Sequence, residues 1–177
     1  MPTSSTQARK KPASTPRSTA SRAPDALKLL MADHKEVKAL FQAYEKLVKS
    51  DADGAKKQAV AQQICTALTV HATVEEELLY PAAYDVLSED DLVDEATVEH
   101  ASAKELIAQI EGMEPSDDLY DAKVKVLGEY IDHHVKEEEK EMFPKLRKTE
   151  LDLKDLGASV KSRKAELLAE MQNSPVH

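Results

Sequence analysis

Two stretches of the chain repeat each other 63 positions apart. The first is His71-Ala72-Thr73-Val74-Glu75-Glu76-Glu77-Leu78-Leu79-Tyr80-Pro81; the second is His134-Val135-Lys136-Glu137-Glu138-Glu139-Lys140-Glu141-Met142-Phe143-Pro144. In each, a His is followed at i+4 by a Glu and then by an aromatic–Pro pair, ten positions from His to Pro. On an α-helix, i and i+4 lie on one face, one turn apart. An imidazole and a carboxylate so placed can hold the same metal ion, or one ion and the bridge to a second. Two such helices facing each other make a site of nitrogen and oxygen ligands.

The elements that must position these residues are helices. The first begins near Asp25, which follows Pro24 and can cap it, and its apolar stripe runs Leu27, Leu30, His34, Val37, Phe41, Tyr44, Val48. Alternating steps of three and four give a stripe that faces a bundle. After the turn at Ser50-Asp51-Ala52-Asp53-Gly54, a second helix runs from about Lys56 to Tyr80. Its stripe is Val60, Ile64, Ala67/Leu68, His71, Val74/Glu75, Leu78, and Pro81 forces a kink or break. Ser88 can cap the next helix, behind an acidic connection at 88–91. That helix carries Val93, Ala96, His100, Ala103, Ile107 and Ile110; a turn at 112–118 ends it, and the fourth carries Tyr120, Val124, Leu127, Tyr130/Ile131, His134, Glu138 and Met142.

The fold expected is all-α: an up-down-up-down four-helix bundle with a short additional C-terminal helix. The bundle spans 25–148. Residues 149–172 form the added helix packed across it, with Leu151, Leu153, Leu156, Val160, Leu167, Leu168 and Met171 on its apolar side, and 173–177 fray. Asp33-His34 followed by Leu40, Tyr44 and Glu45 parallels Glu99-His100 followed by Leu106, Ile110 and Glu111. Each half is thus one helix with a lone His and one with His-x-x-x-Glu. Such a repeat implies approximate two-fold symmetry with the site on the axis.

Four of the six His (His34, His71, His100, His134) fall on the inward stripes of successive helices, with Glu75 and Glu138 beside them. A lone His on an apolar face is ordinarily a satisfied core residue. Two inward Glu at the same offset from two inward His are not explained by packing, because a carboxylate is almost never buried without a partner. Four imidazoles and two carboxylates without a thiolate suit iron or manganese, and copper or zinc less well. Six ligands exceed what one four-coordinate zinc uses. They fit two ions, each with two His, bridged by both carboxylates and an oxo or hydroxo group, with open positions for oxygen, peroxide, nitric oxide or water.

Composition bounds the rest. Charged residues are 32% and aromatics 4% of 177 residues, with no Trp and four Gly, which favours helices over sheets. Net charge is −9, so the chain as a whole is no nucleic-acid binder. Residues 1–24 hold five basic residues and no acid, leaving −14 on the remainder. This Ser-, Thr-, Ala- and Pro-rich basic tail is expected to be disordered. A basic arm touching nucleic acid, membrane or an acidic partner is one reading of it; a solubilising extension is the plainer and preferred one. The single Cys65 excludes an intramolecular disulfide and reads as a small core residue. With no apolar run near ~18 residues and no apolar centre of a secretory signal, a cytoplasmic protein with no membrane partner is expected.

The pattern His34 … His71-x-x-x-Glu75 … His100 … His134-x-x-x-Glu138, with the flanking Glu76-Glu77-Leu78-Leu79-Tyr80-Pro81 and Glu139-Lys140-Glu141-Met142-Phe143-Pro144, resembles the hemerythrin-like, HHE cation-binding family over about residues 25–147. The resemblance implies a non-haem di-iron centre in a four-helix bundle. His34 and His71 would serve one iron, His100 and His134 the other, with Glu75 and Glu138 bridging; manganese or a mixed pair fits the same ligands. Oxygen-carrying hemerythrins have His-x-x-x-His on the third helix and end in His-x-x-x-x-Asp. Here Ala96 and Lys104 flank His100 at those offsets, and Glu138 follows His134 at i+4. The more symmetric, more open site places peroxide or oxygen activation, nitric oxide binding and iron or redox sensing beside reversible oxygen binding. The expected function is thus di-iron binding of a small diatomic or peroxide ligand; the alternatives are a peroxide-degrading or oxygen-reducing enzyme and a metal-dependent regulatory module.

Other residues carry smaller expectations. His133 with Glu137 shares the i, i+4 spacing but lies about 100° from the inward stripe, as a surface or helix-contact residue. Tyr44, Tyr80, Tyr84 and Tyr130 could line the pocket, with packing the first reading of each. Asp33 and Glu99 could orient an imidazole on a neighbouring helix. In Glu75-Glu76-Glu77 only Glu75 is expected to point inward.

Overall fold

The computed structural model describes residues 24–88 and 91–173. The basic segment before Pro24, positions 89–90 of the acidic connection and the chain end at 174–177 lie outside the described residues. The elements are α1 (Ala26–Lys49), α2 (Gly54–Val74), a first π turn (Glu75–Leu79), α3 (Tyr80–Val86), α4 (Asp91–Glu111), α5 (Tyr120–Glu137), a second π turn (Glu138–Met142), α6 (Phe143–Leu146) and α7 (Leu153–Asn173). No strand occurs among the described residues, and none of their helices is long and apolar enough to cross a membrane.

Local chemistry starts and joins these helices. Asp25 caps α1, its side chain accepting from the Lys28 N–H at 2.9 Å, and Asp53 caps α2 through Ala55 N–H at 3.1 Å. Between them Asp51 takes the left-handed conformation (φ 52°) that a short polar side chain tolerates. α1 packs against α2 and α5, and α4 against the same two, so the four long helical stretches close a square in chain order. That is the up-down-up-down bundle, with α7 laid across α1 and α2.

Of the kink or break expected at Pro81, the break is absent: residues 54–86 stay helical through the first π turn, where the Tyr80 N–H bonds to Glu75 O. The second copy does the same, Phe143 N–H to Glu138 O. Each Pro then lies in the first turn of the α-helix that follows, where a missing N–H costs little. The extra residue in the turn shifts the inward register. Leu79 and Tyr80 are buried after Glu75, whereas Leu78, inward on a strict three–four stripe, is only half-buried.

Two apolar clusters fill the bundle. One holds Leu27, Leu30, Val74, Leu79, Met142 and Phe143, and α7 adds Val160 and Leu167 to it. The other holds Val37, Ile64, Cys65, Leu68, Ile107 and Leu127. Each long stretch passes from one cluster to the other through a buried polar layer: Asp33, His34, His71, Glu75, His100, His134 and Glu138. Val48 and Tyr130, on the expected inward stripes, instead lie at the rim and exposed, as do Leu168 and Met171 on α7. α7 crosses the start of α1 closely enough that a Cβ on Gly157 would stand 2.8 Å from Pro24 O and 2.9 Å from Ala26 N. At the far end, Asp121 accepts from Tyr44 Oη (2.6 Å) and from Lys57 Nζ (2.9 Å).

Candidate metal centre

The polar layer is built by four helical stretches, each contributing from the face that its apolar neighbours turn inward. His34 Nε2 lies 3.1 Å from His71 Nε2, and His100 Nε2 lies 3.1 Å from His134 Nε2. Glu75 Oε2 is 3.1 Å from His71 Nε2 and 3.4 Å from His100 Nε2. Glu138 stands 3.3 Å from His34 Nε2 through Oε2 and 3.6 Å from His134 Nε2 through Oε1. Each carboxylate therefore meets one imidazole from each half of the chain. Ligand atoms of His34, His71, Glu75 and Glu138 lie within 4.8 Å of one another, as do those of Glu75, His100 and His134.

These atoms converge without satisfying each other. Both oxygens of Glu75 and Oε2 of Glu138 are buried and make no hydrogen bond among the described residues. Orphaned buried carboxylate oxygens are costly and rare. Facing imidazole nitrogens 3.1 Å apart, they form a donor set that metal cations complete. The residues present fit such a group.

A second ring of carboxylates surrounds the first. His34 Nδ1 is 2.9 Å from Glu139, His100 Nδ1 3.0 Å from Glu76, His134 Nδ1 2.7 Å from Glu99, and His71 Nδ1 3.5 Å from Asp33. An acceptor at Nδ1 fixes the tautomer that presents the Nε2 lone pair inward. Asp33 and Glu99 serve neighbouring helices as the sequence suggests. Glu76 and Glu139 were hidden in acidic runs, and Glu76 is half-buried rather than fully solvated: it faces His100 and accepts from Lys104 Nζ at 2.7 Å. Both sit five positions after a motif His, a shared offset that could have singled them out.

Of the four candidate tyrosines, only Tyr80 reaches the centre. Its hydroxyl is 3.1 Å from His100 Nε2 and donates to Glu138 Oε1 at 3.1 Å. Its counterpart in the second copy is Phe143, whose ring stacks on His34 with centroids 5.9 Å apart. Tyr44 binds Asp121, Tyr84 binds Asp94, and Tyr130 faces solvent. His133 is exposed as expected, 3.2 Å from Glu137 and 3.5 Å from Glu99.

Burial opposes charge here, but the pairs win. Burial alone pushes the His71 imidazolium down, whereas Glu75, Asp33 and Glu138 raise its pKa to about 10. His34 and His100 are likewise disfavoured by burial yet raised on balance, His34 chiefly by Glu138 and His100 by Glu75. Burial pushes the Glu75 carboxyl up, but His71 and His100 hold it well below the usual carboxylate range. The Tyr80 phenol is pushed far up by burial and by Glu75 and Glu138, so it stays a neutral donor.

A cavity of about 20 Å³ adjoins the four imidazoles, walled by Val37, Leu68, Ile107 and Ile131. It holds about one water-sized molecule. A wider groove between α1 and α5 reaches His34 from outside, and Ile131 and Val135 line both spaces.

Fold and centre together define a helical-bundle metal-binding protein. The chain belongs to the hemerythrin HHE cation-binding domain family, whose model matches residues 25–146. In structure it is similar to a hemerythrin HHE cation-binding domain-containing protein from Mycobacterium kansasii, with a TM-score of 0.69 over 85% of this chain and 94% of that one at 21% identity. In sequence it is similar to a DNA nickase of Nostoc sp., 33% identical over 115 residues, which is 65% of this chain. The match spans 31% of that relative, about a third of its length.

Proposed function

We propose that this is a non-haem di-iron protein that binds small oxygen-derived or nitrogen-oxide ligands. His34 and His71 would hold one ion, His100 and His134 the other, with Glu75 and Glu138 bridging. One observation carries this reading: two buried carboxylates, each facing an imidazole of both halves, with oxygens left unpartnered. Four nitrogens and two carboxylates suit iron. Iron held there supplies one-electron redox change and open coordination positions.

The chain's own residues set the selectivity. Glu76, Glu99 and Glu139 hold three imidazoles in the tautomer that faces inward, and Asp33 stands beside the fourth. Tyr80 offers the centre a neutral hydroxyl beside His100 and Glu138. The walls of the cavity are mostly apolar, and its volume, about that of one water-sized molecule, admits only a small ligand. The α1–α5 groove is the approach, with Ile131 and Val135 where it narrows.

The test is metal content per chain after aerobic purification, with the visible spectrum. About two irons with an oxo-bridge charge-transfer band, perturbed by peroxide, azide or nitric oxide, is the expected result. Little iron and a melting curve indifferent to added metal would overturn the reading. Sustained peroxide turnover lost in Glu75→Ala would make the protein an enzyme; stoichiometric, reversible perturbation would make it a binder or sensor.

A further inference from the structure

We propose that the C-terminal helix is part of the metal centre: Lys164 of α7 is a positioning residue that holds His71 in place through Asp33. The inference rests on the metal-binding reading of His71, and it assigns a role to a residue beyond the matched domain, which ends at 146.

The four outer carboxylates are not equivalent. The three Glu stand 2.7–3.0 Å from their imidazoles. Asp33, one carbon shorter, stands 3.5 Å from His71 Nδ1. Its Oδ2 is buried without a hydrogen bond, and so is His71 Nδ1. At that separation the orientation of Asp33 depends on what holds its other oxygen. That holder is Lys164, whose ammonium bonds to Asp33 Oδ1. The contact is sheltered, the side chains being 27% and 12% exposed.

A carboxylate that loses the partner of one oxygen is free to turn toward solvent. That turn takes Asp33 away from His71 Nδ1 and frees the ring. Lys164 prevents it by fixing Oδ1, which leaves Oδ2 aimed at the imidazole. The second half offers a parallel, in which Lys104 holds Glu76 and Glu76 faces His100. There the lysine comes from α4, the helix that carries His100 itself. For His71 the same part is supplied from outside the four-helix bundle.

Docking of α7 does not require this contact. Val160 and Leu167 bury in the core, and the adjacent Arg163 donates to both oxygens of Glu77 at 2.7 and 3.2 Å. Glu77 contacts none of the four imidazoles in the layer. Two successive residues of one helix thus separate anchoring from positioning.

The experiment compares Lys164→Gln, Lys164→Arg, Arg163→Gln and Asp33→Asn in the full chain. Each is scored by thermal melting, by the charge-transfer spectrum, and by the rate at which ferrozine strips iron under reducing conditions. Loss of such an outer partner typically costs ~10–100-fold in metal affinity. Lys164→Gln and Asp33→Asn are expected to speed iron loss about tenfold or more and to shift the spectrum. Combining them should add nothing further. Lys164→Arg is expected to restore most of the wild-type rate, and Arg163→Gln to lower the melting temperature with iron loss unchanged. If Lys164→Gln and Arg163→Gln speed iron loss alike, in proportion to lost stability, α7 is only a clamp and the proposal fails. Solvent exchange of the His71 Nδ1–H, followed by NMR in metal-free protein, gives a readout independent of iron. Faster exchange in Lys164→Gln supports the proposal and an unchanged rate overturns it. Wild-type protein that holds no iron sinks the metal-centre reading instead.

Discussion

Loading the centre with metal should expel protons, and the number can be worked out from its geometry. In the metal-free protein His71 is raised to about 10, so at pH 7.5 it is an imidazolium. His34 and His100 are raised as well. A metal ion needs the neutral lone pair, so binding must displace these protons. At least one proton per chain leaves from His71, and up to three from the raised imidazoles. A rise from 6.5 to about 10 in His71 corresponds to about 5 kcal/mol between its two protonation states. That contribution to metal-free stability is fully present below pH 6.5 and is lost as pH rises through about 10. Glu75 acts in the opposite sense: its depressed value stabilises the fold above pH 4.5 and the benefit fades as pH falls. The joint contribution of these two groups to metal-free stability is therefore largest near pH 4.5–6.5, and the gain from metal grows above that window. Anaerobic calorimetry of Fe(II) binding in buffers of different ionisation heat counts the protons directly. Between pH 6.5 and 9, apparent affinity should rise about tenfold per pH unit for each proton released. Binding with no proton release and a pH-independent affinity would refute the charge assignment of the core.

Further outcomes follow from single contacts. Glu75 belongs to both buried groups of potential ligands and Glu138 to one, so Glu75→Ala should retain less metal after desalting than Glu138→Ala. Gly157→Ala pushes a methyl against the backbone of Pro24 and Ala26 and should cost about 1–3 kcal/mol in a denaturant melt, with metal content unchanged. Ile131→Phe, at the junction of groove and cavity, should slow azide binding by stopped flow without changing metal content. Tyr44→Phe removes the hydroxyl that donates to Asp121 and should lower stability by about 1 kcal/mol, leaving the spectrum intact.

Much of this organisation was legible in the sequence because the helical period acts as a ruler. His34, His71, Glu75, His100, His134 and Glu138 fall on apolar stripes, and a residue on such a stripe is carried to the core whatever its chemistry. Three features escaped that ruler. A π turn inserts one residue into the period, so Leu79 rather than Leu78 packs inward after Glu75, and no local propensity marks it. Glu76 and Glu139 lie in runs of like charge, where composition reads as solvent exposure. What distinguishes them is the position of an imidazole on another helix. The Lys164–Asp33 contact spans 131 positions and depends on how α7 crosses the bundle, which the pattern of α7 alone leaves open.

Among the residues facing the space between the imidazoles, the two copies differ by one hydroxyl. Five residues after Glu75 and after Glu138 stands an aromatic ring, Tyr80 in one copy and Phe143 in the other, and only the first ends in a hydroxyl. The inner ligands, matched between the halves, thereby acquire a front and a back. The hydroxyl lies on the side of His100, while the opposite side presents a bare ring stacked on His34. Two ions held there would differ in Mössbauer parameters and in the order in which they are reduced. An exogenous ligand would find a proton donor in one direction alone. The repeat supplies matched halves, and a single oxygen gives the space between them a direction.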